Sequence, residues 1–139
     1  MSKLTIADTG PIVGALTESE EHHRWTVEQM EKLTPPLLTC EAVITEACFL
    51  MHNSPDGEQD VLGLVQDGLL KIDFSLSEEI GSIRALMKKY EDVPMSLADA
   101  CLVRLSELHE EATIFTLDSD FWVYRKNGKE AIPLIIPER

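Results

Sequence analysis

Residues 4–16 read LTIADTGPIVGAL. Leu4 to Ala7 form a short, mainly apolar run, Asp8 ends it with a carboxylate, and Thr9, Gly10 and Pro11 break the pattern. A short apolar run bounded by turn formers reads as a strand buried on both faces, as in a parallel sheet. The same design recurs along the chain. KLTIAD (3–8), PLLTC (36–40), LLKIDF (69–74), TIFTLD (113–118) and AIPLII (131–136) read as five strands. Helical patterns separate them. Ser19 is placed to cap a helix through EEHHRWTVEQMEKL, EAVITEACFLM (41–51) follows the second strand, and GEQDVLGLVQ (57–66) follows a Pro55-Asp56-Gly57 turn. From Ser77 to Tyr90, Ile80, Ile83, Met87 and Tyr90 fall at helical spacing, with Ser77, Glu78 and Glu79 as a start signal. Strands alternating with helices predict an α/β fold: a mostly parallel five-stranded sheet covered on both faces.

The totals agree with a globule. At 139 residues, residues 1–139 make one domain with a sizeable core, and a hydrophobic share of 44% excludes disorder. No apolar run approaches the roughly 20 residues of a membrane span, and the N-terminus lacks a secretory pattern. Cys40, Cys48 and Cys101 are odd in number, lack metal-binding spacing and sit in apolar helical contexts, so they read as small buried hydrophobes in a reducing cytoplasmic setting. The net charge of −13 opposes a general electrostatic grip on nucleic acid. Its exceptions are two basic groups, Arg84, Lys88 and Lys89 on one helix, and Arg125, Lys126 and Lys129 near the C-terminus.

Asp8-Thr9-Gly10 matches the Asp-Thr-Gly of aspartic proteases, but those lobes are rich in β-structure and this chain carries five or six helices, so the motif lacks its context. The informative carboxylates are those in apolar settings. Glu46 has Ala42, Val43, Phe49 and Leu50 at three and four residues along its helix. It faces a polar pocket, solvent beside an apolar stripe, or a salt-bridge partner. Asp99 repeats the pattern among Met95, Ser96, Leu102 and Val103, and Ser96 to Asp99 also fits a capping box. Asp8 and Asp118 end apolar strands, and Asp120 follows in a turn-like DSD. In a parallel α/β layer the strand ends and the first turn of a following helix share one edge, where sites form. If the strands are neighbours, Asp8, Glu46, Asp99 and Asp118 converge. Carboxylates about 4 Å apart repel by roughly 4 kcal/mol per pair at an effective dielectric near 20. Such a cluster needs protons or cations, and oxygen-only ligands favour Mg²⁺ or Mn²⁺ over zinc. The adjacent His22 and His23 do not share a helix face and, with Trp25, mark a packing edge instead.

These residues resemble the PIN domain family, in particular the compact VapC-type toxins of VapBC toxin–antitoxin pairs. IADTGPIVGAL is similar to the family's opening strand with its first acid, Glu46 in ITEACFL to the second, Asp99 in SLADACLVRLSE to the third, and Asp118 in TIFTLDSDFW to the fourth, with Thr116 two residues ahead of it. The resemblance spans essentially the whole chain. It implies a three-layer α/β/α sandwich and a Mg²⁺- or Mn²⁺-dependent endoribonuclease acting on RNA. It also implies a homodimer and a basic antitoxin partner. Carried over, Asp8, Glu46, Asp99 and Asp118 are the catalytic and metal-site acids, and Asp120 is an optional fifth metal ligand. Glu46 binds the ion, binds its water, or orients that water as a general base.

Three other readings compete. A PIN-like module without catalysis would bind protein or RNA through the same fold. A phosphorylated receiver-like domain also gathers carboxylates, but needs a paired acid after the first strand and a lysine after the last; here Thr9 and Pro137 follow. A P-loop enzyme lacks its Gly-x-x-x-x-Gly-Lys-Ser/Thr motif.

Overall fold

Strand β1 (Thr5–Ala7) is buried at all three residues, as expected of a central strand. The computed structural model describes residues 4–138; Lys3, first residue of the expected opening strand, lies outside them. β2 (Leu37–Thr39), β3 (Leu70–Ile72) and β4 (Thr113–Phe115) follow the sequence reading with tighter bounds. β7 (Leu134–Ile135) completes the main sheet, whose order is β3-β2-β1-β4-β7. Every pairing in it is parallel. The run at 131–136 is not one strand. Its residue Ala131 belongs to β6 (Glu130–Ala131), which pairs antiparallel with β5 (Arg125–Lys126) in a separate hairpin. Pro133 lacks the amide a continuous ladder needs, and the chain changes partner there.

Six α-helices flank these strands among the described residues, giving the α/β/α arrangement. α1 (Thr9–Leu16) starts directly after Asp8, in a segment whose Gly10, Pro11 and Gly14 give little helical signal. Pro11 needs no amide partner in the first turn of a helix. α2 (His23–Glu31) begins three residues later than Ser19 would place it. Thr17 and Glu20 carbonyls instead accept from Glu20 and His23 amides, making successive turns. His23 Nδ1 donates to the Gly14 carbonyl at 2.7 Å, and Trp25 lies 5.9 Å from the Phe115 ring, so this segment is the packing edge expected of it. α3 (Glu41–Met51) and α4 (Gly57–Gln66) match their expected ranges. α5 (Leu76–Lys89) is capped by Ser75, whose Oγ accepts from the Glu78 amide, rather than by Ser77. Of its expected apolar stripe, Ile83 and Tyr90 are buried, but Ile80 is exposed. α6 (Leu97–Leu108) starts at Ser96, as its sequence signalled.

Helix α6 is buried nearly all round, from Ala98 to Val103 and again at Leu105 and Ser106. It packs on β1 and β4 and against α3 and α5. Arg104 fastens it to α5, donating to Glu79 at 2.7 Å and to Glu107 of its own helix at 3.1 Å. α1 packs between α2 and α3, and α3 pairs with α4. That last pairing depends on Gly57. A Cβ there would stand 2.0 Å from the Met51 carbonyl oxygen, so only glycine lets α4 start against the end of α3. Gly57→Ala is expected to destabilise the protein by about 2 kcal/mol, an overpacking cost, read as a lower midpoint in urea unfolding. An unchanged midpoint would mean the α3–α4 turn gives way freely.

Candidate metal centre

β1 and β4 lie side by side, with Thr5 opposite Thr113, Ile6 opposite Ile114 and Ala7 opposite Phe115. Continuing that register by one residue sets Asp8 level with Thr116. Side chains at matched positions of parallel strands point the same way. Thr116 Oγ1 accordingly donates to Asp8 Oδ2 at 2.7 Å and accepts from the Asp118 amide at 2.9 Å. One hydroxyl therefore fixes the first acid and the turn that carries the fourth. The other Asp8 oxygen accepts from the Thr9 amide at 2.7 Å, which makes Asp8 the N-cap of α1. Asp118 caps the short 3₁₀ turn Ser119–Trp122, its Oδ1 accepting from the Asp120 amide at 2.8 Å.

Asp99 enters from the first turn of α6. Ser96 Oγ accepts from the Asp99 amide at 3.0 Å, so the cap foreseen from the sequence is present. The Asp99 carboxylate does other work: Tyr124 Oη donates to its Oδ2 at 2.7 Å. Tyr124 is fully buried and braced edge-on by Tyr90 and Phe121, both at 5.1 Å. Tyr90 Oη in turn accepts from the Arg125 amide at 2.9 Å. Sequence reasoning missed Tyr124. Its only signal was the phenol that closes the apolar run Phe121-Trp122-Val123-Tyr124, six residues beyond Asp118.

Asp8, Glu46, Asp99 and Asp118 all line one hollow of about 260 Å³ at the carboxyl edge of the sheet, together with Thr9 and Gly10. Carboxylate oxygens of Asp99, Asp118 and Asp120 also lie within 4.8 Å of one another, which brings the optional fifth acid close to two of the others. Glu46 is exposed, on the rim, and its neighbours Phe49 and Leu50 are 68% and 55% exposed. Of the settings open to it from the sequence, solvent beside an apolar stripe is the one it occupies, though it still faces the hollow.

Burial dominates the electrostatics. Asp8 is pushed up to about 7, first by loss of water and further by the Asp99 and Glu46 charges, against the lowering effect of the Thr116 and Thr9 hydrogen bonds. Asp99 is raised by burial and by Asp118 and Glu46, against the Tyr124 hydrogen bond. Asp120 is raised by burial and by Asp118. Burial and the Asp99 contact raise the Tyr124 phenol, which keeps it a donor. The residues fit a hard divalent cation. The donors are all oxygens, with no His or Cys in the lining. Thr9 Oγ1 is buried without a partner and lines the same hollow, a polar atom that a hydrated ion or a phosphate oxygen would satisfy.

The chain belongs to the PIN domain family. The family model matches residues 5–127, most of the sequence, and takes in all five acids. No curated protein matches the chain. PIN domains are generally nucleases that use divalent metal ions, and the acidic cluster here is a possible site for one. No helix among the described residues is long and apolar enough to cross a membrane. The two basic groups noted in the sequence meet in this PIN domain, because Lys89 Nζ donates to the Gly128 carbonyl at 2.8 Å. Lys126 is buried, its Nζ donating to the Glu110 carbonyl, and so contributes no surface charge.

The raised carboxyl of Asp8 has a defined pH signature in metal-free protein. Its proton is held more tightly folded than unfolded, so its contribution is complete below 3.8 and is lost as pH rises to about 7. Across that window the penalty grows by up to about 1.4 kcal/mol per pH unit. Urea unfolding in EDTA is expected to show wild type losing stability from pH 4.5 to 7.5 relative to Asp8→Asn. Parallel profiles for the two proteins would show that Asp8 does not hold this proton.

Proposed function

We propose that this PIN domain is a Mg²⁺- or Mn²⁺-dependent endoribonuclease, the toxin component of a VapBC-type pair, acting in the cytoplasm. The observation that carries the reading is the gathering of Asp8, Glu46, Asp99 and Asp118 around one hollow at the sheet's carboxyl edge. Asp8, Asp99 and Asp118 are the residues to hold the ion, with Asp120 as a further ligand. When bound, the ion supplies positive charge against the scissile phosphate and a more acidic water for phosphodiester hydrolysis.

The chain's own groups do the rest. Glu46, exposed at the rim, is free to take a proton from the attacking water or to orient it. Thr116 and Tyr124 hold Asp8 and Asp99 in place by one hydrogen bond each. They are positioning residues. Thr9 offers its unpartnered hydroxyl to a water or a phosphate oxygen.

A net charge of −13 calls for weak, salt-sensitive RNA binding and cleavage confined to particular sites or structured RNAs. The same charge suits a basic antitoxin. The rim beside Glu46, with exposed Phe49 and Leu50, fits a partner carrying apolar as well as basic side chains, or a second copy in a homodimer.

Melting curves with Mn²⁺ and assays on a pool of structured RNAs test the reading together. Wild type is expected to melt higher with Mn²⁺ and to cut RNA. Asp99→Asn is expected to lose most of the Mn²⁺ response and about 100-fold or more of the cleavage. Ion binding without cleavage by wild type would favour the catalytically inactive binding module.

A further inference from the structure

Two of the three cysteines meet beside the acidic hollow without belonging to it. Cys40 ends the β2 segment as the N-cap residue of α3, and Cys101 lies in the second turn of α6. They are 1% and 2% exposed, on helices that pack together, and each thiol acts on the other: Cys101 pushes the Cys40 thiol up and Cys40 pulls the Cys101 thiol down. Both also line a second hollow of about 290 Å³, whose mouth includes Leu76 and Leu97, each more than a third exposed. The pair is thus screened from bulky reagents yet open to a small one. Cys48, farther along α3, does not line this hollow. The helices joined by the thiol contact are the ones that carry Glu46 and Asp99.

We propose that Cys40 and Cys101 form a reversible disulfide under peroxide, and that the link weakens ion binding at the acidic hollow. One thiol attacks hydrogen peroxide; its S–O bond forms as the O–O bond breaks, and the first water leaves with the thiol proton. The second thiol attacks that sulfur, the S–S bond forms, the S–O bond breaks, and the second water leaves. Two thiols lose two electrons in all, and one peroxide gains them. A cytoplasmic disulfide of this kind is transient, reopened by cellular thiols.

Coupling to the acids follows from position. An S–S bond of about 2.05 Å holds its two Cα atoms within roughly 4.4–6.8 Å, so the link ties the start of α3 to the second turn of α6. Asp99 sits two residues before Cys101, roughly 200° around the helix. The link therefore fixes the helix of Asp99 to the helix of Glu46 and limits how the two acids can adjust around an ion. This second part rests on the metal-site reading proposed above; the cross-link itself does not.

The test treats the full-length, metal-free protein with hydrogen peroxide, blocks remaining thiols by alkylation, and maps peptides by mass. The expected product is a linked pair of peptides containing Cys40 and Cys101, lighter by two hydrogens, abolished by dithiothreitol and retained in Cys48→Ser. Sulfinic acid at either cysteine, dimers through Cys48, or unreacted thiols would overturn the proposal, and the wild-type map decides this even if Cys40→Ser fails to fold. Mn²⁺ titrations followed by melting temperature then compare the two redox forms. The oxidised form is expected to need about five-fold or more Mn²⁺ for the same rise. Equal titrations would overturn the coupling. If neither form responds to Mn²⁺ while the link forms, the metal-site reading fails and the cross-link stands.

Discussion

The Thr116 hydroxyl joins two of the acids by donating to Asp8 and accepting from the Asp118 amide. Everything at the site depends on that tie, because it is the register of β1 against β4 expressed in a side chain. Slip the pairing by one residue and Thr116 would face the other side of the sheet. Asp8 would then be buried at 6% exposure with one of its oxygens unpaired. The hydrogen bonds do not remove the electrostatic cost of the site; they hold it where an ion can relieve it. An acid pushed up to about 7 is poised to exchange its proton for a cation near neutral pH.

The topology supplies the other acids without any unusual local structure. In a parallel sheet the central neighbours β1 and β4 both end at the same edge, and the first turn of α6 returns to it. Asp99 arrives there because Ser96 starts the helix three residues earlier. Tyr124 then fixes the direction of its carboxylate, and Tyr90 and Phe121 fix Tyr124. Gly10 keeps the hollow clear: a Cβ there would already stand 3.1 Å from the Leu117 side chain. The acids are few, but the residues that orient them come from most of the chain.

Much of this was legible in the sequence. Apolar runs ending in Asp8 and Asp118 identified two strands and the sheet edge where their acids gather, since a charge can end a buried strand but cannot sit inside one. Ser96 marked α6 because a cap signals locally. Other features were set by partners far away. Ser19 and Ser77 looked like caps, but tertiary packing placed the helix starts at His23 and Leu76. Helix α1 was hidden by Gly10 and Pro11, which lower intrinsic propensity, while its burial between α2 and α3 outweighs them. Tyr124 was invisible because its role rests on a contact across 25 positions. The apolar neighbours of Glu46 left a pocket, solvent and a salt bridge all open, because spacing along a helix does not say whether its stripe is covered, and here Phe49 and Leu50 remain exposed.

The central claim is that these far-apart carboxylates form a single cation site. Anomalous diffraction from crystals soaked in Mn²⁺ tests it most directly, because the signal locates the ion without assumption about activity. A peak is expected inside the hollow bounded by Asp8, Glu46, Asp99 and Asp118, within coordination distance of at least two of their carboxylates. A well-occupied Mn²⁺ elsewhere on this acidic surface, with none in the hollow, would contradict it.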